Sequence, residues 1–355
     1  MTTPQMTADT VPPAAEGVPE APVPAELTPE EERKRRRRKA IILFLLLGLL
    51  GILLMLLLWY FLFRQPLPVV PPIPEAQLPG YSTSLYGATS PIGVAVTPAG
   101  DRIYVAESGG DRVVRILDAN GNTLGTMVPP AETGRDHVPV YVAIDPLTTE
   151  VYVSDRPTGS VYIYDRDGRF QRQFNPAEPI PGWQPMGLAF DDAGNLYVTD
   201  LGGPSDRIEV FDRSGVLIRS FGDGAGLSFP NGIALDAAGN VYVADSNNGR
   251  LLIFAQSGEL VGRVGRGSGV GKLGLPRGVA IDGSDRVFVV DTTAQGVAVY
   301  RALVVEEPQP EYLGIFGSPG VDDGQFSFPV GSAVDDRGRV YIADTANDRV
   351  QVWSY

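Results

Sequence analysis

Six stretches of this chain open with a proline and a short apolar run, and that repetition limits the fold more than any other feature. They read Pro91-IGVAVT, Pro139-VYVAID, Pro185-MGLAFD, Pro230-NGIALD, Pro276-RGVAID and Pro329-VGSAVD, with the prolines 48, 46, 45, 46 and 53 residues apart. Each copy continues through a polar turn to a second run that ends in an acid: Glu107, Asp155, Asp200, Asp245, Asp291 and Asp344. A third run follows, such as RLLIF from Arg250, and a fourth precedes the next proline, such as VLIRSFG from Val216. Short runs rich in Val, Ile and Tyr, divided by Gly, Asp and Asn turns, have the pattern of strands and hairpins and not of helices. A period of about 40–50 residues made of four strands is a propeller blade, so the expected fold class is an all-β, six-bladed β-propeller. The sixth copy stops at Tyr355 after its third strand, while Ser82-TSLYG, ahead of the first proline, matches the fourth-strand endings at Phe221-Gly222 and Phe316-Gly317. The N-terminal strand is therefore expected to complete the last blade and close the ring, leaving no open junction.

Three segments precede the propeller, which is assigned residues 81–355. Residues 1–39 form a tail whose first thirty residues are rich in Pro, Ala, Thr and Glu and hold no aromatic side chain. Such a segment buries too little to offset the entropy of ordering and is expected to be disordered and cytoplasmic. It ends in the basic run Arg33-Lys34-Arg35-Arg36-Arg37-Arg38-Lys39. Residues 40–63 are 24 uncharged, overwhelmingly apolar residues. As a helix they would span about 36 Å, enough for a bilayer core of about 30 Å. Trp59 and Tyr60 suit one interface, and the basic run keeps the other end cytoplasmic, which puts the C-terminal propeller outside. A cleaved signal peptide would have a shorter apolar region followed by small residues, so a signal anchor is the better reading. Residues 64–80 hold six prolines and should form an extended spacer of up to about 50 Å. The expected location is thus a plasma membrane crossed once, and 26 arginines against 3 lysines fit a GC-rich bacterial genome.

Charge and composition remove several function classes. Residues 1–63 carry seven basic and seven acidic groups, so residues 64–355 carry 22 and 35, which is the whole net charge of −13. A domain that acidic repels a phosphate backbone, so nucleic acid is not an expected partner. Zero cysteines exclude disulfides, thiolate catalysis and Cys-ligated metals, and a single histidine excludes multi-histidine metal sites.

The pattern P-x-G-[VIL]-A-[VILF]-D followed by [VL]-Y-V-A-D-x-x-N-x-R runs through residues 82–355, and PNGIALDAAGNVYVADSNNGRLLIF from Pro230 is an especially close copy. These residues resemble the NHL repeat family of six-bladed propellers, within the broader group that includes gluconolactonase-like and amidating-lyase-like enzymes. A membrane-tethered propeller of this kind also resembles the outer sensor portion of some bacterial receptor kinases, although no kinase sequence is present here. The resemblance implies a platform that hosts many activities and does not choose one.

Candidate sites follow from what repeats and what varies. The six acids at the second-strand ends read either as a calcium or catalytic carboxylate ring or as a structural acid ring. In the second reading each acid serves its own blade's loop, and Glu107, Asp200, Asp245 and Asp344 pair with Arg112, Arg207, Arg250 and Arg349, five or seven residues on. Repetition in every blade favours the structural reading, because catalytic sites combine unlike groups. Turns such as Asp236-AAGN lack the twelve-residue ligand array of an EF-hand and read as turn chemistry. The positions after the repeat prolines vary: Ile92, Val140, Met186, Asn231, Arg277 and Val330, with His137 and Trp183 just ahead of two of the prolines. His137, Trp183, Met186, Asn231 and Arg277 are the candidate binding residues, expected around one mouth, with inter-blade packing the alternative for Trp183 and Met186. The expected function is a binding module for an extracytoplasmic protein, peptide or glycan, acting as sensor or scaffold without a cofactor. The alternative is a lactonase of the gluconolactonase type; the resemblance implies a divalent metal held by Glu, Asn and Asp there, with Asn231 at a non-repeating position, and calcium stays open as its cation.

Overall fold

The computed structural model describes residues 29–63, 78–130, 136–303 and 309–355, in two compact units, Met1–Val70 and Pro71–Tyr355. The tail ahead of residue 29 and spacer residues 64–77 lie outside the described residues. In the first unit, helix α1 (Pro29–Phe63) begins well upstream of the apolar run, so the basic run is helical and not part of an unstructured tail. Pro29 is preset for a first helical turn, and Glu30 to Glu32 lie near the positive end of the helix dipole. Lys34 reaches back to Glu30 at 3.6 Å. Within α1, Arg36–Met55 is long and apolar enough to cross a membrane, and none of it is buried in protein.

The second unit is a propeller of six four-stranded antiparallel sheets. The first blade consists of Pro91–Val96, Ile103–Glu107, Val114–Leu117 and Thr123–Met127, and the unit recurs over residues 139–174, 185–221, 230–264 and 276–316. The sixth blade has Pro329–Val334, Val340–Asp344 and Arg349–Ser354, and its outer strand is β1 (Gly80–Tyr86), paired antiparallel with Arg349–Ser354. The N-terminal strand thus closes the ring, as the partial repeat requires. Tyr81 of β1 meets Trp353 edge-on at 6.0 Å, and Trp353 also packs on Phe316 at 4.6 Å, which fastens this closure to the fifth blade.

The apolar runs are continuous because blades stack face to face, so their middle strands are buried on both sides. Outer strands such as Phe170–Phe174 are mostly exposed and correspondingly polar. The aromatic residue of each second strand, including Tyr104, Tyr197, Tyr242, Phe288 and Tyr341, is a main inter-blade filler. Burial pushes the Tyr104 hydroxyl up to about 12, and it donates to the carbonyl of Arg166 in the next blade at 3.0 Å.

Around the axis the first strands touch through backbone. A Cβ on Gly93 would collide with the Val140 carbonyl, and the same holds for Gly187 with Asn231, Gly232 with Arg277, Gly278 with Val330 and Gly331 with Ile92. Hydroxyls of the second strands or the loops after them add donors between neighbouring blades: Ser154 to the Met186 carbonyl, Ser246 to Pro276, Thr292 to Pro329 and Thr345 to Pro91, at 2.6–2.7 Å. Gly187→Ala is therefore expected to lower stability by about 1–3 kcal/mol. Gly283→Ala, in open space, should be nearly neutral. Paired urea melts of the two variants test this; equal midpoints would refute backbone contact as the reason for the glycines.

Candidate functional site

One face of the propeller is built by the loops that precede each first strand and those that link second and third strands. The two sets are joined in every blade by a backbone bond, as from Arg156 N–H to the Val138 carbonyl and from Leu201 N–H to Gln184. The six acids lie at this junction, each in register with its repeat proline, from Pro91 with Glu107 to Pro329 with Asp344, and the register slips immediately afterwards. Proline has no N–H to give the ladder there. The carboxylates instead accept the loop amides next to the proline: Val138 to Asp155, Gln184 to Asp200, Ser228 to Asp245, Leu275 to Asp291 and Ser327 to Asp344, at 2.7–3.0 Å.

All six acids are buried, so their charge needs further partners. Arg207, Arg250 and Arg349 supply them to Asp200, Asp245 and Asp344 at 3.1, 2.6 and 2.8 Å, the pairs expected from spacing. The first blade differs. Glu107 takes a bidentate bond from Arg115 of its third strand, at 2.5 and 3.2 Å, while Arg112 turns to Asp136 at 3.8 Å. Arg112 sits in the loop with φ 53, ahead of the strand-start place that Arg250 holds opposite Asp245. Asp155 and Asp291 lack arginine: His137 and Thr158 bond Asp155 at 3.2 and 2.7 Å, and Asp291 gathers the amides of Gly274, Leu275, Thr293 and Ala294.

The five candidate binding residues lie on this face but do not form one cluster. His137 sits between Asp155 and the Tyr162 ring, 5.7 Å away. Trp183 stands edge-on to Phe211 at 5.5 Å and joins the core between the second and third blades. Met186 and Asn231 are 4% and 1% exposed. Asn231 donates its amide to Ser246 Oγ at 2.5 Å and to the Phe229 carbonyl at 3.3 Å. Arg277 is half-buried at the axis, with its Nε out of solvent and without a hydrogen-bond partner.

The sequence reading passed over Tyr141, which takes the place of the axial glycine in the second blade. The hydroxyl donates to the carbonyl of Arg277 in the fifth blade at 3.3 Å, so the side chain crosses the axis and packs with Val140 and Met186. The signal was legible: five copies read P-x-G and one reads Pro139-Val140-Tyr141. A second overlooked feature is a hollow of about 180 Å³ lined by Arg156, Gln184, Leu201, Asp206 and Phe229 over buried Met186. Phe229 has φ 55 immediately before Pro230, a conformation bulky residues avoid. Its amide is held by Asp206 at 2.6 Å, and the Arg156 guanidinium lies 5.5 Å from the ring centroid. Phe328, at the same position in the sixth blade, has φ 56 and is 49% exposed.

The opposite face has a hollow of about 560 Å³ whose lining includes Asp191, Asp236 and Asp282. Their oxygens are committed to turn amides, as Asp236 is to Ala238, Asn240 and the Tyr242 hydroxyl. Among the described residues no three Asp, Glu or His side chains are grouped to hold a metal ion.

The NHL repeat family matches residues 227–254 and 326–353, which are the fourth blade's centre and the sixth blade's. The chain carries NHL repeats on a six-bladed β-propeller. A streptogramin B lyase structure aligns at TM-score 0.55 with 14% identity, over 79% of this chain and 99% of that one. A chain of a nidogen/laminin complex aligns at 0.51 with 18% identity, over 64% and 80%. A structural genomics protein of unknown function from Bacteroides thetaiotaomicron aligns at 0.55 with 16% identity, over 78% and 72%. At these identities the likeness is one of fold. No curated protein matches the sequence.

Two outcomes test the site's electrostatics. Arg349→Met strips the buried Asp344 of its cation and should lower stability by about 3–5 kcal/mol, whereas Arg112→Met should stay within about 0.5 kcal/mol; equal losses in thermal melts would contradict the pairing. Hydrogen bonds from Asn122 hold the Asp118 carboxyl below the usual range, and the Ser214 hydroxyl and Val216 amide do the same for Asp212. A depressed folded pKa contributes stability that is intact above the unfolded carboxylate value of about 4 and is lost as pH falls through the folded value. Melting temperature should therefore be flat from about pH 7 to 5 and drop below about 4, less steeply for the Asp118→Asn, Asp212→Asn double variant; identical slopes would rule out these turns as a source.

Proposed function

We propose that this NHL propeller is a membrane-anchored binding module, held outside the cytoplasm of a bacterium, that docks a protein, peptide or glycan partner on its loop face as a sensor or scaffold. The apolar span of α1, the basic run on its N-terminal side and the proline-rich spacer support the topology. NHL propellers serve generally as protein-binding or scaffold platforms, and one chain of similar fold belongs to a nidogen/laminin complex.

The observation that carries the docking face is Phe229. A left-handed backbone on a bulky residue before proline costs of order 1–3 kcal/mol, yet Asp206 and the loop enforce it and leave the ring at the rim of the hollow, under Arg156. An aromatic ring beside an arginine above a buried methionine is a composition typical of interaction hot spots.

The absence of cysteine makes the experiment clean. Single cysteines replacing exposed Val270 or Val321 should react with a membrane-impermeant maleimide on intact cells, and one replacing Thr10 of the N-terminal tail only after lysis. In the same cells, Phe229→Ala with Arg156→Ala should cut crosslinking to the envelope partner at least tenfold without moving the melting temperature. Labelling of the tail alone would invert the topology, and unchanged crosslinking would move the partner off this hollow.

A further inference from the structure

The six residues that follow the repeat prolines ring the axis on the loop face. Ile92, Val140, Met186, Asn231 and Val330 are neutral, and all but Ile92 are buried. Arg277 alone carries charge. Other arginines of the propeller core are spoken for: Arg207, Arg250, Arg286, Arg339 and Arg349 each hold a carboxylate. Arg277 pairs with no acid among the described residues, and its Nε is closed off from solvent without an acceptor. Unsatisfied buried donors are rare in folded proteins because each forfeits its hydration without a replacement. The Arg277 carbonyl accepts the Tyr141 hydroxyl at 3.3 Å, so the residue stands at the axial plug, and its charge opposes the rise that burial gives that phenol.

A planar guanidinium with no carboxylate of its own is matched by a two-oxygen anion that accepts parallel bonds from its terminal nitrogens. The surroundings choose among such anions. A single cation balances a single charge, whereas a phosphate monoester brings nearly two. A polyanion would also face the net charge of −13 carried by residues 64–355. Of the neutral ring residues Ile92 keeps partial exposure and offers apolar contact to whatever bears the anion, which suits a carboxylate on a peptide chain.

We propose that the axial mouth of the loop face is a carboxylate-recognition site, with Arg277 as its anchor, that takes one acidic side chain or C-terminal carboxylate of a protein partner. The inference rests on the reading that this face docks a partner, and it adds the chemistry of the contact.

The test uses the full-length chain in lipid nanodiscs and three rhodamine-labelled peptides read by fluorescence anisotropy. One is a five-residue Leu/Gly peptide with a central Glu and an amidated end, one has a free C-terminus and no acid, and one has Gln for Glu and an amidated end. At least one carboxylate peptide should bind ten times more tightly than the neutral one, and the pair identifies the source of the carboxylate. Arg277→Gln should erase that preference, Arg277→Lys should restore only part of it, and both should melt no lower than the wild type. Inorganic phosphate that competes better than acetate would overturn the choice of anion. A clear loss of melting temperature in both variants would instead make Arg277 a structural residue. Phe229→Ala separates the two proposals: carboxylate preference that survives it leaves the Arg277 site standing without the wider docking hollow. Binding of all three peptides that falls with Phe229→Ala but not with Arg277→Gln does the reverse.

Discussion

A proline cannot donate to a β-ladder, and this propeller places one at the start of every blade. The consequence runs through the whole loop face. Opposite each proline stands a buried carboxylate whose oxygens collect the amides that the broken ladder leaves over. A carboxylate has acceptor capacity for several donors at once, so one side chain ties the incoming loop, the outgoing loop and the strand end together. Burial then demands more donors, and each blade finds them differently. Arginine serves Asp200, Asp245 and Asp344; four amides serve Asp291; a histidine and a threonine serve Asp155. The first blade substitutes glutamate, whose extra methylene carries the charge outward to Arg115, and the amide of Ser90 goes to Asp348 of the last blade instead. That last bond also spans the junction where the ring closes.

Close backbone contact at the axis is the second constraint, and it limits where a ligand can act. Glycine side by side with carbonyl in five seams leaves no room for side chains between inner strands, and Tyr141 fills the remaining gap from the sixth. Interiors packed this way move little. Variation is therefore pushed to the residues that cap the axis and to the loops above it, while strand interiors keep to Val, Ile, Leu and aromatic residues. The opposite face obeys the same economy: Asp191, Asp236, Asp282 and Asp335 spend their oxygens closing the first-to-second-strand turns.

The fold was almost wholly legible because it is written six times. Blade count, strand order and closure by Gly80–Tyr86 follow from the spacing of prolines and the missing last strand. Three of the four acid–arginine pairs were legible for the same reason. Glu107 was not, because its partner lies across the hairpin at Arg115 and sequence distance does not measure distance across a sheet. Helix α1 starts within the segment read as tail because that reading rested on the composition of residues 1–30, whereas Pro29 and the three glutamates after it suit the first turn of a helix. Met186 and Asn231 were read as candidate binding residues because their positions vary, with inter-blade packing the alternative for Met186. Their variability reflects six different ways of filling one crowded ring. Phe229 was invisible because nothing in a sequence announces a positive φ at a phenylalanine.

Repetition has a converse that decides where to look for function in such a chain. A residue type present in all six copies satisfies a demand of the blade, and the carboxylates and glycines meet that description. A departure confined to one copy answers to something else, either a local packing problem or a ligand. Tyr141 is the first kind, since its bulk and its hydroxyl are both used within the fold. Asn231 belongs with it, its amide spent on Ser246 and Phe229. Arg277 departs from the other five just as sharply, but its charge and its Nε are used by nothing within the described propeller. Phe229 and Phe328 keep a strained backbone, the first half-buried and the second exposed. Departures that the fold itself does not consume are concentrated on the loop face, around an axis that Tyr141 has closed. A partner there would meet a shallow, capped surface and not a channel, which suits recognition by a few anchored side chains better than enclosure of a small substrate.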